Sequence, residues 1–120
     1  MSRILMRIAL VAAIAAACTA SSLVAHHGWS EYDEKRPLTV DGIVKSATYG
    51  NPHGTMTFEA AGKVWDVVLA PVARMQTRGL TEAMLKPGTE ARVVGYQHRK
   101  VATEMRAENV TIAGKKVELR

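Results

Sequence analysis

Apolar and polar positions alternate along much of the chain after residue 38, and this pattern predicts strands rather than long helices. The predicted strands cover residues 38–48, 55–60, 64–69, 91–97 and 104–112, followed by a short strand at 117–119. Within the second strand, Met56 and Phe58 alternate with polar residues, which is typical of a half-buried strand. The inward-facing apolar residues form the expected core: Val40, Val44, Met56, Phe58, Trp65, Val67, Leu69, Met75, Leu80, Leu85, Val93 and Val110.

Helical structure after the N-terminal region is expected only between residues 71 and 86. Pro71 suits the first turn of a helix, Gly79 is placed to end it, and Pro87 stops any continuation. Three strands, a helical connection and two further strands is the element order of a five-stranded OB barrel, whose loops 1–2 and 4–5 contribute to a binding surface. We therefore predict a mainly β fold, a five-stranded OB-like barrel with one short helical connection between strands 3 and 4, after an N-terminal signal helix. An open α+β meander sandwich is the alternative.

The first residues have the layout of a secretory signal peptide. Arg3 and Arg7 form a positive region, residues 8–17 are an uninterrupted apolar run, and small and polar residues follow. The apolar run is shorter than the roughly 20 residues that cross a bilayer. We expect export, to the periplasm, with no transmembrane anchor in the mature chain.

Three cleavage positions remain open. Cleavage after Ala25 has Leu23 at −3, whereas cleavage after Ala20 has Cys18 at −3 and fits the small-residue rule better. In the third alternative, Cys18 is the lipidated residue of a lipoprotein. We favour Ala25, which divides the chain into a signal peptide at 1–25, an extended lead-in at 26–37 and the barrel domain at 38–120. In the lead-in, Trp29 and Tyr32 are expected to hold the chain to the barrel surface.

This cleavage changes the chemistry available to the mature chain. It removes Cys18, the only cysteine, and so excludes disulfides, a thiolate nucleophile and cysteine metal ligands. Arg3 and Arg7 also leave, which lowers the net charge from +5 to +3, with 14 basic and 11 acidic residues. The basic residues are scattered rather than concentrated in a stripe, which argues against a nucleic-acid partner. The expected partner is an unidentified protein or small ligand.

The four histidines are the most informative chemical residues. His26 and His27 directly follow the favoured cleavage site, His53 lies in the first predicted turn, and His98 lies before the last main strand. A free α-amine on His26 would chelate a metal together with its own imidazole, and His27 or His53 would supply a third nitrogen. Imidazole ligands suit copper. The sequence therefore suggests a metal site formed by His26, His27 and His53, with copper as the candidate ion. Alternatively, the histidine pair is a solvated chain start and His53 only stabilises its turn.

Motifs of known enzymes are missing from the sequence. It has no serine in a nucleophile turn, no glycine-rich phosphate loop and no His-Glu-x-x-His. The acidic pair Glu104 and Glu108, like the helical pair Arg74 and Arg78, is expected to lie on a solvated face. The enzyme question is left open, with a preference for a non-catalytic protein.

Several short motifs resemble one family of small exported bacterial proteins, the domain of unknown function 6152. They are His26-His27-Gly28-Trp29, Tyr32-Asp33, Arg36-Pro37-Leu38, Gly42-Ile43-Val44, Asn51-Pro52-His53, Arg78-Gly79-Leu80, Leu85-Lys86-Pro87-Gly88 and Gly95-Tyr96. The resemblance implies an exported single domain without an assigned activity, and by analogy it groups His26, His27 and His53. Family members often carry aromatic residues around the Asn-Pro-His turn, whereas this chain has Gly50 before it and Gly54 after it.

Two functions of different classes follow from these observations. The first is an exported binding or accessory module of unknown ligand, without an evident catalytic site and without a certain cofactor. The second is a periplasmic copper-binding protein that handles metal through an N-terminal histidine chelate.

Overall fold

The computed structural model describes residues 28–120. The expected signal helix, the cleavage site, His26 and His27 lie outside these described residues. The fold is mainly β, with one α-helix and a six-stranded sheet in the described part of the chain.

Short turns separate most of the strands. The strands are β1 (Tyr32–Thr48), β2 (Thr55–Ala60), β3 (Lys63–Val68), β4 (Glu90–His98), β5 (Glu104–Ile112) and β6 (Lys115–Glu118). A 3-10 turn at Trp29–Glu31 precedes β1. Between β3 and β4 lie helix α1 (Val72–Arg78) and a 3-10 turn at Glu82–Leu85. Helix α1 ends at Gly79, whose φ of 89° is the left-handed conformation that favours glycine at this position.

The strand pairings form a closed ring that begins and ends at β1. The sheet order is β3-β2-β1-β4-β5-β6, and β3 also pairs with β5. The β3–β5 pairing is parallel, and the other pairings among the described strands are antiparallel. Strand β1 makes this possible because its first part pairs with β4 and its last part pairs with β2. At Gly42, where β1 passes from one partner to the other, a Cβ would overlap the carbonyl oxygen of Glu59.

The core lies inside this ring of pairings, with helix α1 packed against it. Eleven of the twelve predicted core residues are buried, and Val40 is half-buried against the core. Further buried side chains come from positions that the pattern did not single out: Tyr32, Met105, Ala107, Ile112, Val117 and Leu119. Burial of these apolar side chains is the main stabilising contribution in a domain of this size.

The strand limits agree with the predicted ones at β2 and β5 and differ most at β1. Strand β1 begins at Tyr32 rather than at residue 38, because the polar stretch 33–36 continues the strand through an irregular register with β4. Strand β6 corresponds to the short final strand predicted at 117–119; it covers Lys115–Glu118 and pairs with β5. The helical segment is also shorter than residues 71–86, since α1 covers one part of it and the 3-10 turn another.

Candidate functional site

A row of polar side chains crosses four neighbouring strands. Ser46 of β1 lies opposite Thr57 of β2, Thr57 lies opposite Asp66 of β3, and Asp66 lies opposite Glu104 of β5. Ser46 and Asp66 are exposed, and Thr57 is half-buried. Residues of the neighbouring positions, Met56 and Val67, are buried in the core. The row therefore lies on the outer surface of the sheet.

An open cavity of about 490 Å³ lies over this row, and we call it the β2–β3 cavity. Its walls come from the end of β1, the turn after it, strands β2 and β3, and the start of β5. The lining residues are Ser46, Ala47, Thr48, Asn51, Pro52, His53, Thr55, Met56, Thr57, Asp66, Val67, Val68 and Glu104. This volume lies in the range of cavities that hold small organic molecules.

The turn on the rim of the cavity is fixed to the rest of the domain. The backbone N–H of Gly54 donates to the carbonyl oxygen of Ala70, and the N–H of Leu69 donates to the carbonyl oxygen of Gly54, both at 2.8 Å. A Cβ at Gly54 would overlap the Met75 side chain of helix α1, so glycine permits this close approach. The Tyr49 hydroxyl donates to the carbonyl oxygen of Leu80 at 2.7 Å. These contacts hold half-buried His53 at the edge of the cavity.

A second polar cluster adjoins the cavity at Glu104. The Nδ1 atom of His98 accepts hydrogen bonds from the backbone N–H groups of Lys100 (3.0 Å) and Val101 (3.1 Å). Because Nδ1 is an acceptor, the ring proton of neutral His98 lies on Nε2. That Nε2 atom is 3.7 Å from the Glu31 carboxylate and 3.6 Å from the Glu104 carboxylate. His98 therefore organises its loop and joins the start of the described chain to the cavity.

Tyr32 completes this cluster from inside the domain. Its hydroxyl donates to the Glu104 carboxylate at 2.9 Å, and its ring meets the His98 ring edge-on at 5.2 Å. Burial raises the pKa of the Tyr32 hydroxyl above its ordinary value, and the hydrogen bond to Glu104 raises it further. Tyr32 thus remains a protonated donor that fixes the position of Glu104 at neutral pH.

Trp29 attaches the N-terminal segment to the outer surface. The guanidinium groups of Arg106 and Arg120 both lie over its ring, each 4.2 Å from the ring centroid. It also meets the Tyr96 ring edge-on at 6.1 Å. Arg120 in turn donates to the Glu34 carboxylate at 2.8 Å. The expectation that Trp29 and Tyr32 hold the lead-in to the domain is consistent with these contacts, with Trp29 on the surface and Tyr32 in the core.

The residues selected from the sequence have separate positions in the structure. His53 lines the β2–β3 cavity, and His98 reaches the cavity through Glu104 rather than lining it. His26 and His27 lie outside the described residues. Within residues 28–120, no group of three histidine, cysteine, aspartate or glutamate residues is arranged to hold a metal ion.

Sequence reasoning missed the two carboxylates of the cavity. Glu104 was expected on a solvated face, but its side chain is 19% exposed and bonded to Tyr32. Asp66 carried no motif, and its position opposite Glu104 depends on a pairing between distant strands. Of the helical pair expected on a solvated face, Arg78 is exposed and Arg74 is half-buried; they donate to the carbonyl oxygens of Glu118 and Leu119, respectively.

The family model described as a family of unknown function (DUF6152) matches residues 13–106. This match covers more than half of the chain, and the chain therefore belongs to that family. It includes every residue that lines the cavity. A search of curated proteins gives no match. In the described part of the chain, no helix has the length and apolar character needed to cross a membrane.

Proposed function

We propose that this protein is an exported binding module, a small OB-like barrel without an evident catalytic site, whose ligand occupies the β2–β3 cavity. The OB-like description is supported by the order of the strand pairings, β1-β2-β3-β5-β4 and back to β1. It is also supported by the helical connection between β3 and β4. An OB fold is a five-stranded barrel, and in this interpretation β6 is an addition to it.

The position of the cavity is the observation that carries the proposal. It lies over β2 and β3, between the turn that joins β1 to β2 and Glu104, where the connection from β4 enters β5. In OB folds the ligand surface is formed by strands 2 and 3 together with these two connections. A cavity lined by several polar side chains together with apolar ones is suited to binding a small ligand.

Export to the periplasm is part of this proposal. It is supported by the signal-like residues 1–25 and by the apolar run at 8–17. Lipid attachment at Cys18 is the alternative route to the same side of the membrane. N-terminal sequencing of the secreted protein distinguishes the two, since a lipoprotein would begin at a blocked Cys18.

Amide NMR spectra of the processed protein, recorded during titration with a library of small molecules, test the binding function. We expect ligand-dependent shifts clustered at Thr55, Thr57 and Val68. A Thr57→Trp variant, which fills the cavity, should lose them. The matched variant Thr39→Trp places the same ring at an exposed position of β1 outside the cavity, and should retain them. Shifts scattered over the surface, or retained in Thr57→Trp, would contradict the proposal.

Copper handling is a second candidate function, supported by where the described chain begins. Glu31 lies beside His98, His98 lies beside Glu104, and Glu104 lines the same cavity as His53. The segment that follows His27 is therefore on the cavity side of the domain. In this alternative, the His26 amine and imidazole bind copper with help from His27 or His53, and the protein delivers the ion rather than catalysing a reaction.

A further inference from the structure

The charge of the β2–β3 cavity is opposite to that of the chain. The sequence contains 16 lysine and arginine residues against 11 acidic ones. The cavity lining nevertheless includes two carboxylates, Asp66 and Glu104, and no lysine or arginine. The wall of the cavity is therefore acidic in a basic protein, which disfavours an anionic ligand and favours a cationic one.

The two acidic residues are register partners on neighbouring strands, and both line the cavity. Asp66 of β3 and Glu104 of β5 are opposite residues of the parallel pairing. Glu104 has partners in Tyr32 and His98, whereas the Asp66 carboxylate makes no hydrogen bond or ion pair with residues 28–120. Like charges directly opposite on neighbouring strands are destabilising. A cation bound between them would remove this repulsion.

Cations near the cavity are engaged in other contacts. The guanidinium of Arg106, which lies opposite Val68, packs on the Trp29 ring. Lys45 pairs with Glu59 at 3.4 Å, and Lys63 donates to the carbonyl oxygen of Ala102 at 2.9 Å. None of these three cations is therefore paired with the Asp66 carboxylate, and a cationic ligand would supply its partner.

The size and the remaining walls indicate the kind of cation. About 490 Å³ is far more than a bare ion needs, and it matches the volume of small-molecule sites. Apolar groups of Pro52 and Val68 adjoin the hydroxyls of Thr55 and Thr57 in the lining. We propose that the β2–β3 cavity binds a small organic amine, with its ammonium group at Asp66 and Glu104 and its alkyl chain against the apolar walls. This inference rests on the proposed binding function and names its ligand class.

Three probes of equal chain length test the role of charge. Hexane-1,6-diamine carries two ammonium groups, hexane-1,6-diol is its neutral analogue, and adipate is its anionic analogue. Titration of the processed protein with each, followed by amide NMR at low salt, should shift Thr55, Thr57 and Val68 with the diamine at the lowest concentration. The affinity for the diamine should fall as salt is added, because screening weakens the attraction of exposed charges.

Matched variants locate the charge that is recognised. Asp66→Asn keeps the shape of the side chain and should weaken diamine binding by about two- to fivefold, the range of an exposed ion pair. Glu90→Gln removes one negative charge from an exposed position outside the cavity and should leave the affinity unchanged. Glu104→Gln is less suitable, because it also removes the acceptor of the Tyr32 hydroxyl.

The outcomes separate this inference from the proposed function. If the diol or adipate binds in the cavity as tightly as the diamine, the amine inference is wrong and the binding function stands. Equal weakening by Asp66→Asn and Glu90→Gln would also overturn the inference, since it would indicate a general charge effect. If none of the three probes shifts the cavity residues, the amine inference is wrong, and the library titration with Thr57→Trp decides the binding function separately.

Discussion

Asp66 lies directly opposite Glu104, in the parallel pairing through which β3 meets β5. Two acidic residues are thus register partners at the junction that completes the ring of strand pairings. Tyr32 and His98 contact the Glu104 carboxylate, and Asp66 lines the cavity. This pair has consequences for stability as well as for binding.

Removing the charge of Asp66 should stabilise the domain. Asp66→Asn eliminates the repulsion from Glu104, and the free energy of unfolding should rise by about 0.2–1 kcal/mol, the size of a cross-strand pair effect. Urea denaturation at neutral pH measures the change. The control Glu90→Gln, at an exposed position away from the pair, should change stability less. A clear loss of stability in Asp66→Asn would contradict the prediction, because it would show that the Asp66 carboxylate stabilises the fold.

Trp29→Ala should loosen the N-terminal segment. The substitution removes the ring that Arg106 and Arg120 both contact. A loss of about 1–3 kcal/mol is expected because the Arg106 guanidinium is largely desolvated. Protease cleavage within residues 30–36 should become faster. Trp29→Phe retains an aromatic ring and should lose less. Unchanged cleavage and stability in Trp29→Ala would mean that other contacts hold the segment.

Tyr32 should make stability depend on alkaline pH. Burial and Glu104 raise its pKa in the folded protein above the ordinary value near 10. Below pH 10 the hydroxyl is protonated in both the folded and unfolded states, so its hydrogen bond contributes fully. Above pH 10 the unfolded state loses the proton first, so stability falls as pH rises.

The variant Tyr32→Phe isolates this effect. At pH 8 it should be less stable than the wild type by about 1–3 kcal/mol, the contribution of a hydrogen bond to a charged group. The difference should shrink by pH 11, because the variant lacks the titrating hydroxyl. Tyr96, whose pKa burial also raises, is present in both proteins and cancels in the comparison. A difference that stays constant between pH 8 and pH 11 would contradict the assignment.

Copper titration calorimetry tests the histidine chelate. If cleavage follows Ala25, the mature protein should bind one Cu(II), and binding should weaken as pH falls because protons compete for the amine and the imidazoles. A form with one extra residue before His26 should lose most of the affinity. His53→Ala should weaken binding if the chain start reaches the cavity rim. Equal affinity of the native and extended forms would end the chelate hypothesis.

The sequence predicted most of the fold because most strands carry their own signals. Strands β2 and β5 have the predicted limits, since alternation and flanking turn residues define them locally. The start of β1 was missed because residues 33–36 are polar, and what holds them is remote: Tyr32 in the core and the pairing with β4. Local pattern contains no information about such contacts.

The candidate site could be predicted only in part, for the same reason. His53 stood out because histidine after Asn-Pro in a turn is visible in the sequence, and it does line the cavity. Asp66 and Glu104 look like ordinary surface acids until β3 and β5 are paired. They become neighbours through the register between β3 and β5, which are far apart in the chain. No spacing rule applied to the sequence predicts that register.

The parallel contact between β3 and β5 also constrains how the protein is made. Residues 66–68 meet residues 104–106 only after the intervening helix and strand β4 have emerged. Contacts of such long sequence separation form slowly, because the chain must close a large loop before they contribute. If the chain crosses a membrane N-terminus first, as proposed, it has no complete cavity until nearly all of it has crossed. In the proposed export, the proposed ligand would therefore be captured only on the destination side of the membrane.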